Sequence, residues 1–230
     1  MPFKTAQIVR VSRADAEAFM LEFEHLGNVG LGVWHFGMVV EGRLACVLSF
    51  GVPCFSMGRG VIGELATKHG VRVLQLCRGG TSRGAPRNSP SKAIGLAMRV
   101  IYRQFGNCMI VAYADPQCHE VGTIYQACNA VHTGWTKPKG QANYILHGRR
   151  LSAWTVRRRY GTRSLVRLRA IDPDVVVEQL RPKIRYVLVA ASSSCRRKLM
   201  RDLRNLQQPY PKREELNIES MRSVESGNPR

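Results

Sequence analysis

Two stretches of this sequence carry side chains whose types and spacing suit proton transfer and the holding of anions. The first is Met109 to Asn129. There an apolar run ends at Asp115-Pro116, a short polar turn holds His119, and a helix signature opens at Thr123. A carboxylate at the end of an apolar strand can accept or orient a proton, or close an Asx-turn with the proline. Tyr125 can donate to a developing oxyanion, protonate a leaving group or stack on a base, unless it is a core aromatic. Asn129 can hydrogen-bond base edges. Thr123 and Gln126 fit a capping box. From Thr123 onward Tyr125, Asn129 and His132 fall on one helix face, with Ile124, Ala127, Cys128 and Val131 on the other.

The second stretch is Arg78 to Ser91. After a strongly apolar strand candidate, Val71 to Cys77, comes Arg78-Gly-Gly-Thr-Ser-Arg-Gly-Ala-Pro-Arg-Asn88, which reads as a basic, glycine-rich loop. Arg78, Gly79, Gly80, Asn88 and Ser91 are the candidates here for binding an anionic donor. A forked guanidinium suits phosphate and carboxylate, and amides at the following helix start favour anions too. Ser89-Pro90 reads as that helix's cap and first turn. Ser91 then points its hydroxyl at the same ligand or assists the cap. Ile94, Ala97, Met98, Ile101 and Phe105 form the core face of this helix.

These candidates need a sheet with helices on its faces, because loops leaving the carboxyl ends of strands converge on a shared crevice. The order of elements supplies one. A strand over Gln7–Val11 precedes a helix capped at Ser12 that carries Phe19, Phe23 and Leu26 on one side and His25 near its end. Two apolar runs, 33–40 and 43–50, flank Glu41-Gly42 as a hairpin. A helical turn follows over Glu64 to His69. Beyond Trp135, a hairpin through Gly148, a helix from Asp172 to about Leu180, a strand over Ile184 to Ala190 and a basic helix over Ser192 to Leu206 complete the chain. From Pro209 the periodicity stops, which predicts a disordered tail over 209–230.

A formal charge of +19 on 230 residues makes a polyanion the expected partner. From Arg149 to Arg213 there are 18 Lys or Arg against 4 Asp or Glu, a net +14. Arg157, Arg158, Arg159, Arg196, Arg197 and Lys198 are its dense points, and they suit phosphates. With 44% hydrophobic residues the composition is that of a globular protein. No secretory signal and no long apolar run is evident, so a cytoplasmic protein off the membrane is expected. Seven scattered cysteines suggest buried thiols rather than a disulfide frame. Cys118, His119, Cys128 and His132 match no standard zinc spacing, so no metal ligand is assigned. No facial triad marks an iron site, and iron stays open.

Several separated motifs in order resemble the Mom family of phage DNA-modification proteins. They are Phe36-Gly37, Tyr-Ala-Asp115-Pro with His119, Gly122-x-Ile-Tyr-Gln-Ala-Cys-Asn129 with Gly134, Ile-Arg-Tyr-Val-Leu-Val, and Gln208-Pro-Tyr-Pro-Lys-Arg213. The similarity spans roughly His25 to Arg213. It implies an α/β fold with a GNAT-like mixed central sheet flanked by helices, in one catalytic domain over 1–208 whose basic part, 149–208, binds double-stranded DNA.

The reaction it implies converts the exocyclic N6 amine of adenine to the carbamoylmethyl form, which protects phage DNA from host restriction. Asp115, Tyr125, Arg78, Ser91 and His25 would then be catalytic, and His119 and Asn129 would meet the substrate. The group donor is not named by the sequence. The loop before the central helix departs from the Arg/Gln-x-x-Gly-x-Gly/Ala pattern of acyl-CoA enzymes, which argues against acetyl-CoA. Two other readings stay open: a GNAT-like acyltransferase acting on a protein or small-molecule amine, and a non-catalytic DNA-binding protein.

Overall fold

The expected hairpin forms at Glu41-Gly42 because both residues take positive φ, 51° and 75°, as a two-residue I′ turn requires. The computed structural model describes residues 3–24, 27–53, 60–136, 142–180 and 182–214, without the side chains of Gln117 and Trp154. His25 therefore lies outside the described residues.

In chain order the elements are β1 (Gln7–Arg10), α1 (Arg13–Phe23), β2 (Trp34–Val40), β3 (Arg43–Gly51), α2 (Val61–His69), β4 (Arg72–Thr81), α3 (Ser89–Phe105), β5 (Cys108–Ala114), α4 (Thr123–Ala127), β6 (Val131–Trp135), β7 (Ala142–Leu146), β8 (Arg149–Ser152), α5 (Ala153–Tyr160), α6 (Leu165–Arg169), β9 (Val176–Gln179), β10 (Ile184–Ala190) and α7 (Ser193–Arg204). They form two compact units. One comprises residues 1–134 with 184–230, the other 135–183.

The larger unit is a mixed sheet in the order β1-β2-β3-β4-β5-β10-β6. β4 and β5 run parallel, whereas β1–β2, β2–β3, β3–β4 and β5–β10 are antiparallel. Strand alternation sends Met109, Val111, Val187 and Val189 to one face, where α2 and α7 cover them with Ile62, Leu65, Leu199 and Leu203. α3 buries Ala93, Ile94, Ala97 and Ile101. Ser12 caps α1 by accepting the Asp15 amide at 3.1 Å, as expected, and α1 packs Ala16, Phe19 and Met20 on Val29 and Val47.

Asp202 of α7 ties down α2, accepting from Lys68 Nζ at 2.8 Å and His69 Nε2 at 2.9 Å. The Lys68 hydrogen bond first, and the His69 one next, hold its carboxyl well below the usual carboxylate range. A depressed native pKa adds stability above the pKa of the unfolded chain, and that stability is lost as pH falls through the native value. The difference in melting temperature between the wild type and Asp202→Asn is thus expected to persist at pH 6 and to narrow only below about pH 4. Melts across that range check it.

The smaller unit has the sheet order β8-β7-β9 over a core of Tyr144, Leu146, Val156, Leu168 and Val175. His147 and Gly148 turn its hairpin at φ 48° and 70°. Here two expectations fail. Asp172 to Leu180 is not a helix: the β-branched run Val175-Val176-Val177 leads into an extended strand paired with β7. Asp172 instead accepts the amides of His147 at 2.6 Å and Asp174 at 3.1 Å. The second hairpin strand, expected over Leu151 to Val156, instead spans Arg149–Ser152, and Ser152 caps α5 by accepting the Thr155 amide at 3.1 Å.

The tail expectation gives way at its start. The Gln208 amide donates to the His132 carbonyl at 2.9 Å, Tyr210 Oη donates to the Ala130 carbonyl at 2.8 Å, and Pro211 is buried. Residues 215–230 lie outside the described residues.

Candidate active site

β4 and β5 pair only over Arg72–Gln75 and Cys108–Val111. Beyond these the end of β4 stays with β3 and the end of β5 stays with β10. The crevice of an open α/β sheet forms where strands part at their carboxyl ends.

Arg78 sits at this parting, and it is not in a loop. Arg78, Gly79 and Gly80 are strand residues opposite Ser49, Leu48 and Val47. The loop expectation fails because β3 is long enough to pair with them. Gly80 also lies where a side chain would come within 3.2 Å of Met20 Sδ and 3.4 Å of the Phe19 ring, so the glycine there makes room for α1. The register steps from Ser49↔Arg78 to Phe50↔Leu76, which leaves Cys77 without an opposite number. Such a bulge re-aims the neighbouring side chain. Arg78 turns to the end of α1, with Nε 3.9 Å from Glu24 Oε1, and the Glu24 side chain is only 6% exposed. Nη1 donates to the Cys77 carbonyl at 2.7 Å. Nε is buried with no hydrogen-bond partner among the described residues, and the 29% of the side chain that stays exposed is the part that can meet a ligand.

Beside Arg78, Ser49 Oγ donates to the Val29 carbonyl at 3.1 Å and lies 3.0 Å from His35 Nδ1. With its one proton so used, the hydroxyl accepts from Nδ1–H. Burial first, then the Arg13 charge, lower the pKa of His35 against the opposing pull of Glu17. The imidazole is therefore neutral. Neither Glu24 nor His35 stood out in the sequence; the only hint was the position of Glu24 just before the Gly27 break.

Across the parting, α4 carries Tyr125, half-buried, with its ring 5.3 Å from that of Tyr186. Burial pushes its phenol up, Glu120, Cys128 and Tyr186 add to the rise, and Arg78 opposes it. Tyr125 is thus a protonated donor at neutral pH, and Arg78 lies within its electrostatic reach. The expected capping box is absent. Gly122 holds the cap position at φ 76°, while Gln126 Nε2 donates to the Val121 carbonyl at 3.0 Å and to Tyr186 Oη at 3.1 Å.

α4 also stops at Ala127, because Asn129 turns the chain at φ 54° into β6. Tyr125, Asn129 and His132 therefore do not share a helix face. His132 is buried in β6, where Nδ1–H donates to the Pro209 carbonyl at 2.6 Å. Its Nε2 has no hydrogen-bond partner among the described residues.

Asp115 follows β5, half-buried. Its amide donates to Glu120 Oε2 at 3.1 Å, and its carbonyl accepts from Cys118 and Glu120. His119 is exposed on that turn at φ 57°. Ser91 lies in the first turn of α3 and donates to the Asn88 carbonyl at 3.0 Å. Ser89 is not the cap: Asn88 occupies that position at φ 68°, and Ser89 Oγ donates to the Pro86 carbonyl at 2.6 Å. Asn88, Ser91 and Asn129 instead meet at a groove of about 570 Å³ along α3. Arg78 and Ser91 are thus not adjacent parts of one loop. Arg157, Arg158 and Arg159 are exposed on α5 in the smaller unit, and Arg196, Arg197 and Lys198 are exposed on α7 in the larger. Among the described residues no three of His, Cys, Asp or Glu gather as metal ligands, and no helix is long and apolar enough to cross a membrane.

Fold and site together define an α/β protein with polar side chains placed where two parallel strands part. The chain belongs to the Mom protein family, whose model matches residues 5–212. Solved structures of similar arrangement include an N-acetyltransferase from Staphylococcus aureus, at 9% identity, 80% of this chain, 98% of that chain and a TM-score of 0.45. A ribosomal-protein-S5-alanine acetyltransferase from Vibrio fischeri shows 9% identity over 83% and 96% of the two chains, with a TM-score of 0.43. An agmatine N-acetyltransferase shows 12% over 80% and 99%, with a TM-score of 0.44. Comparison with curated proteins finds no match.

Proposed function

We propose that this protein is a DNA-modifying transferase that converts the N6 amine of adenine to its carbamoylmethyl form, shielding phage DNA from restriction. The observation that carries the reading is the bulge-aimed, part-exposed guanidinium of Arg78 where β4 and β5 part, within electrostatic reach of the protonated Tyr125. In this chemistry N6 forms a bond to the transferred carbon as the carrier leaves with the bonding pair. Asp115 takes the N6 proton, Tyr125 supplies a proton to the departing group, and Arg78 offsets the negative charge that develops. Ser91 and Asn88 hold the donor. An adenine in a duplex must leave the stack to reach such a site. The arginines of α5 and the basic start of α7 supply sequence-independent phosphate contacts.

Mass analysis of deoxynucleosides from cells expressing the chain tests this. Carbamoylmethyl deoxyadenosine is expected with the wild type, and at least a hundredfold less with Asp115→Ala or Tyr125→Phe, the range usual for loss of a general acid or base. Full modification by both variants, or unmodified DNA with the wild type, overturns the assignment. Unmodified DNA together with acylated protein or small amines would mark an acyltransferase of another substrate.

A further inference from the structure

β6 ends the strand order of the larger unit's sheet, and the outer side of such a strand presents backbone groups that need partners. After α7 the chain returns to supply them. The Gln208 amide donates to the His132 carbonyl at 2.9 Å, His132 Nδ1–H donates to the Pro209 carbonyl at 2.6 Å, and Tyr210 Oη donates to the Ala130 carbonyl at 2.8 Å. A Cβ on Gly134 would lie within 3.1 to 3.3 Å of the Gln208 side-chain amide, so residues 208–211 form a strap pressed close to the strand. Pro209 and Pro211 bracket Tyr210. Each fixes its own φ and biases the residue before it toward extended backbone, which reduces the entropy lost when the strap docks.

Covering an edge accounts for Gln208 and Pro209. Tyr210 reaches further, by two routes that both end on Tyr125. The first is backbone: Ala130 is fully buried, its carbonyl accepts the Tyr210 hydroxyl, and its amide donates to the Tyr125 carbonyl at 3.0 Å. The second is aromatic. The Tyr210 ring lies 6.3 Å from that of Tyr186, and the Tyr186 ring lies 5.3 Å from that of Tyr125. Tyr186 is itself fixed, fully buried and hydrogen-bonded through its hydroxyl to the Val121 carbonyl and Gln126 Nε2. His132, oriented by the Pro209 carbonyl, adds a ring 5.5 Å from it. Tyr125 stands on a helix of five residues, too short to hold its own shape. The place of its ring therefore depends on what it packs against.

We propose that Tyr210 is a positioning residue for the transfer reaction, holding Tyr125 by its backbone through Ala130 and by its ring through Tyr186. The proposal rests on the role given to Tyr125 above. It gives a task to the Pro-Tyr-Pro motif, which has no part in the chemistry itself. Precision matters at such a group, because a displacement of about 1 Å from a distant change can cost about a hundredfold in rate.

Fluorine NMR of the full-length protein labelled with meta-fluorotyrosine, read beside nucleoside analysis, tests it. The line missing from labelled Tyr125→Phe belongs to Tyr125. In Tyr210→Ala that line should shift or split at a temperature where circular dichroism shows folded protein, and carbamoylmethyl deoxyadenosine should fall at least about tenfold. Gln208→Ala trims the strap but leaves Tyr210 in place, so the Tyr125 line and the modification should keep their wild-type values whatever happens to the melting temperature. Tyr210→Phe keeps the ring and loses only the bond to Ala130, so it should move the line in the same direction by less. It replaces Tyr210→Ala if that variant does not fold, and an unmoved line there overturns the proposal. In folded Tyr210→Ala, an unmoved Tyr125 line or wild-type modification also overturns it, leaving the strap as an edge cover while the adenine reading stands. Equal loss of modification in Gln208→Ala and Tyr210→Ala does the same. Unmodified DNA with the wild type, alongside a Tyr125 line that still follows Tyr210, overturns the adenine reading and not the hold on Tyr125.

Discussion

Gly122→Ala is expected to destabilise the larger unit by about 3 kcal/mol, combining the left-handed backbone penalty with overpacking. Gly122 sits at φ 76°, and a methyl there would press on Cε2 and Cζ of Tyr186 and come within 3.0 Å of its hydroxyl. Tyr186 cannot yield freely, because it is fully buried and its hydroxyl donates to the Val121 carbonyl at 2.5 Å. The strain therefore falls on α4, which carries Tyr125, and modification should drop with stability. Urea unfolding of Gly122→Ala and of Gly122→Ala with Tyr186→Leu checks both parts. The second substitution removes the collision but not the backbone penalty, so it should recover only a share of the loss. A change under about 0.5 kcal/mol in Gly122→Ala would place it among ordinary surface substitutions and sink the packing argument.

The second large effect is expected at Arg78. Arg78→Met should abolish modification and cost roughly 2 to 3 kcal/mol of stability, because it takes from Glu24 the guanidinium that faces its buried carboxylate. Arg78→Met combined with Glu24→Gln should recover part of that stability, since the carboxylate that loses the facing guanidinium is neutralised with it, yet remain inactive. This separates a structural ion pair from a role in chemistry. If the double variant modified DNA at the wild-type level, Arg78 would be a structural residue and the site would lie elsewhere. Chemical denaturation of the four proteins in the cycle, alongside nucleoside analysis, decides between the outcomes.

Much of the frame was legible because local pattern and tertiary fold agree. The Glu41-Gly42 hairpin, the Ser12 cap, the core face of α3 and the strand ending at Asp115 all express short-range periodicity or turn chemistry, which one sequence displays directly. The failures share a different cause. Arg78-Gly-Gly reads as a loop because glycines and a charge suggest one, but pairing with β3 makes it a strand and the bulge at Cys77 aims its arginine. Asn129 and His132 continue a helical spacing, yet Gly122 and Asn129 confine α4 to five residues between two left-handed turns. Ser89 has the composition of a cap, but Asn88 takes that place.

By itself, then, the sequence determined the mixed α/β character, the excess of positive charge, and the candidacy of Arg78, Asp115 and Tyr125. Each of these depends on residue type and near spacing. Only the tertiary structure decided that Arg78 faces the end of α1 and Glu24, that His35 and Ser49 form a neutral pair beside it, and that the chain turns after α4 so that Ala130 links Tyr125 to Tyr210. These depend on register between distant strands and on where a short helix stops, and long-range pairing leaves no periodic trace in the chain.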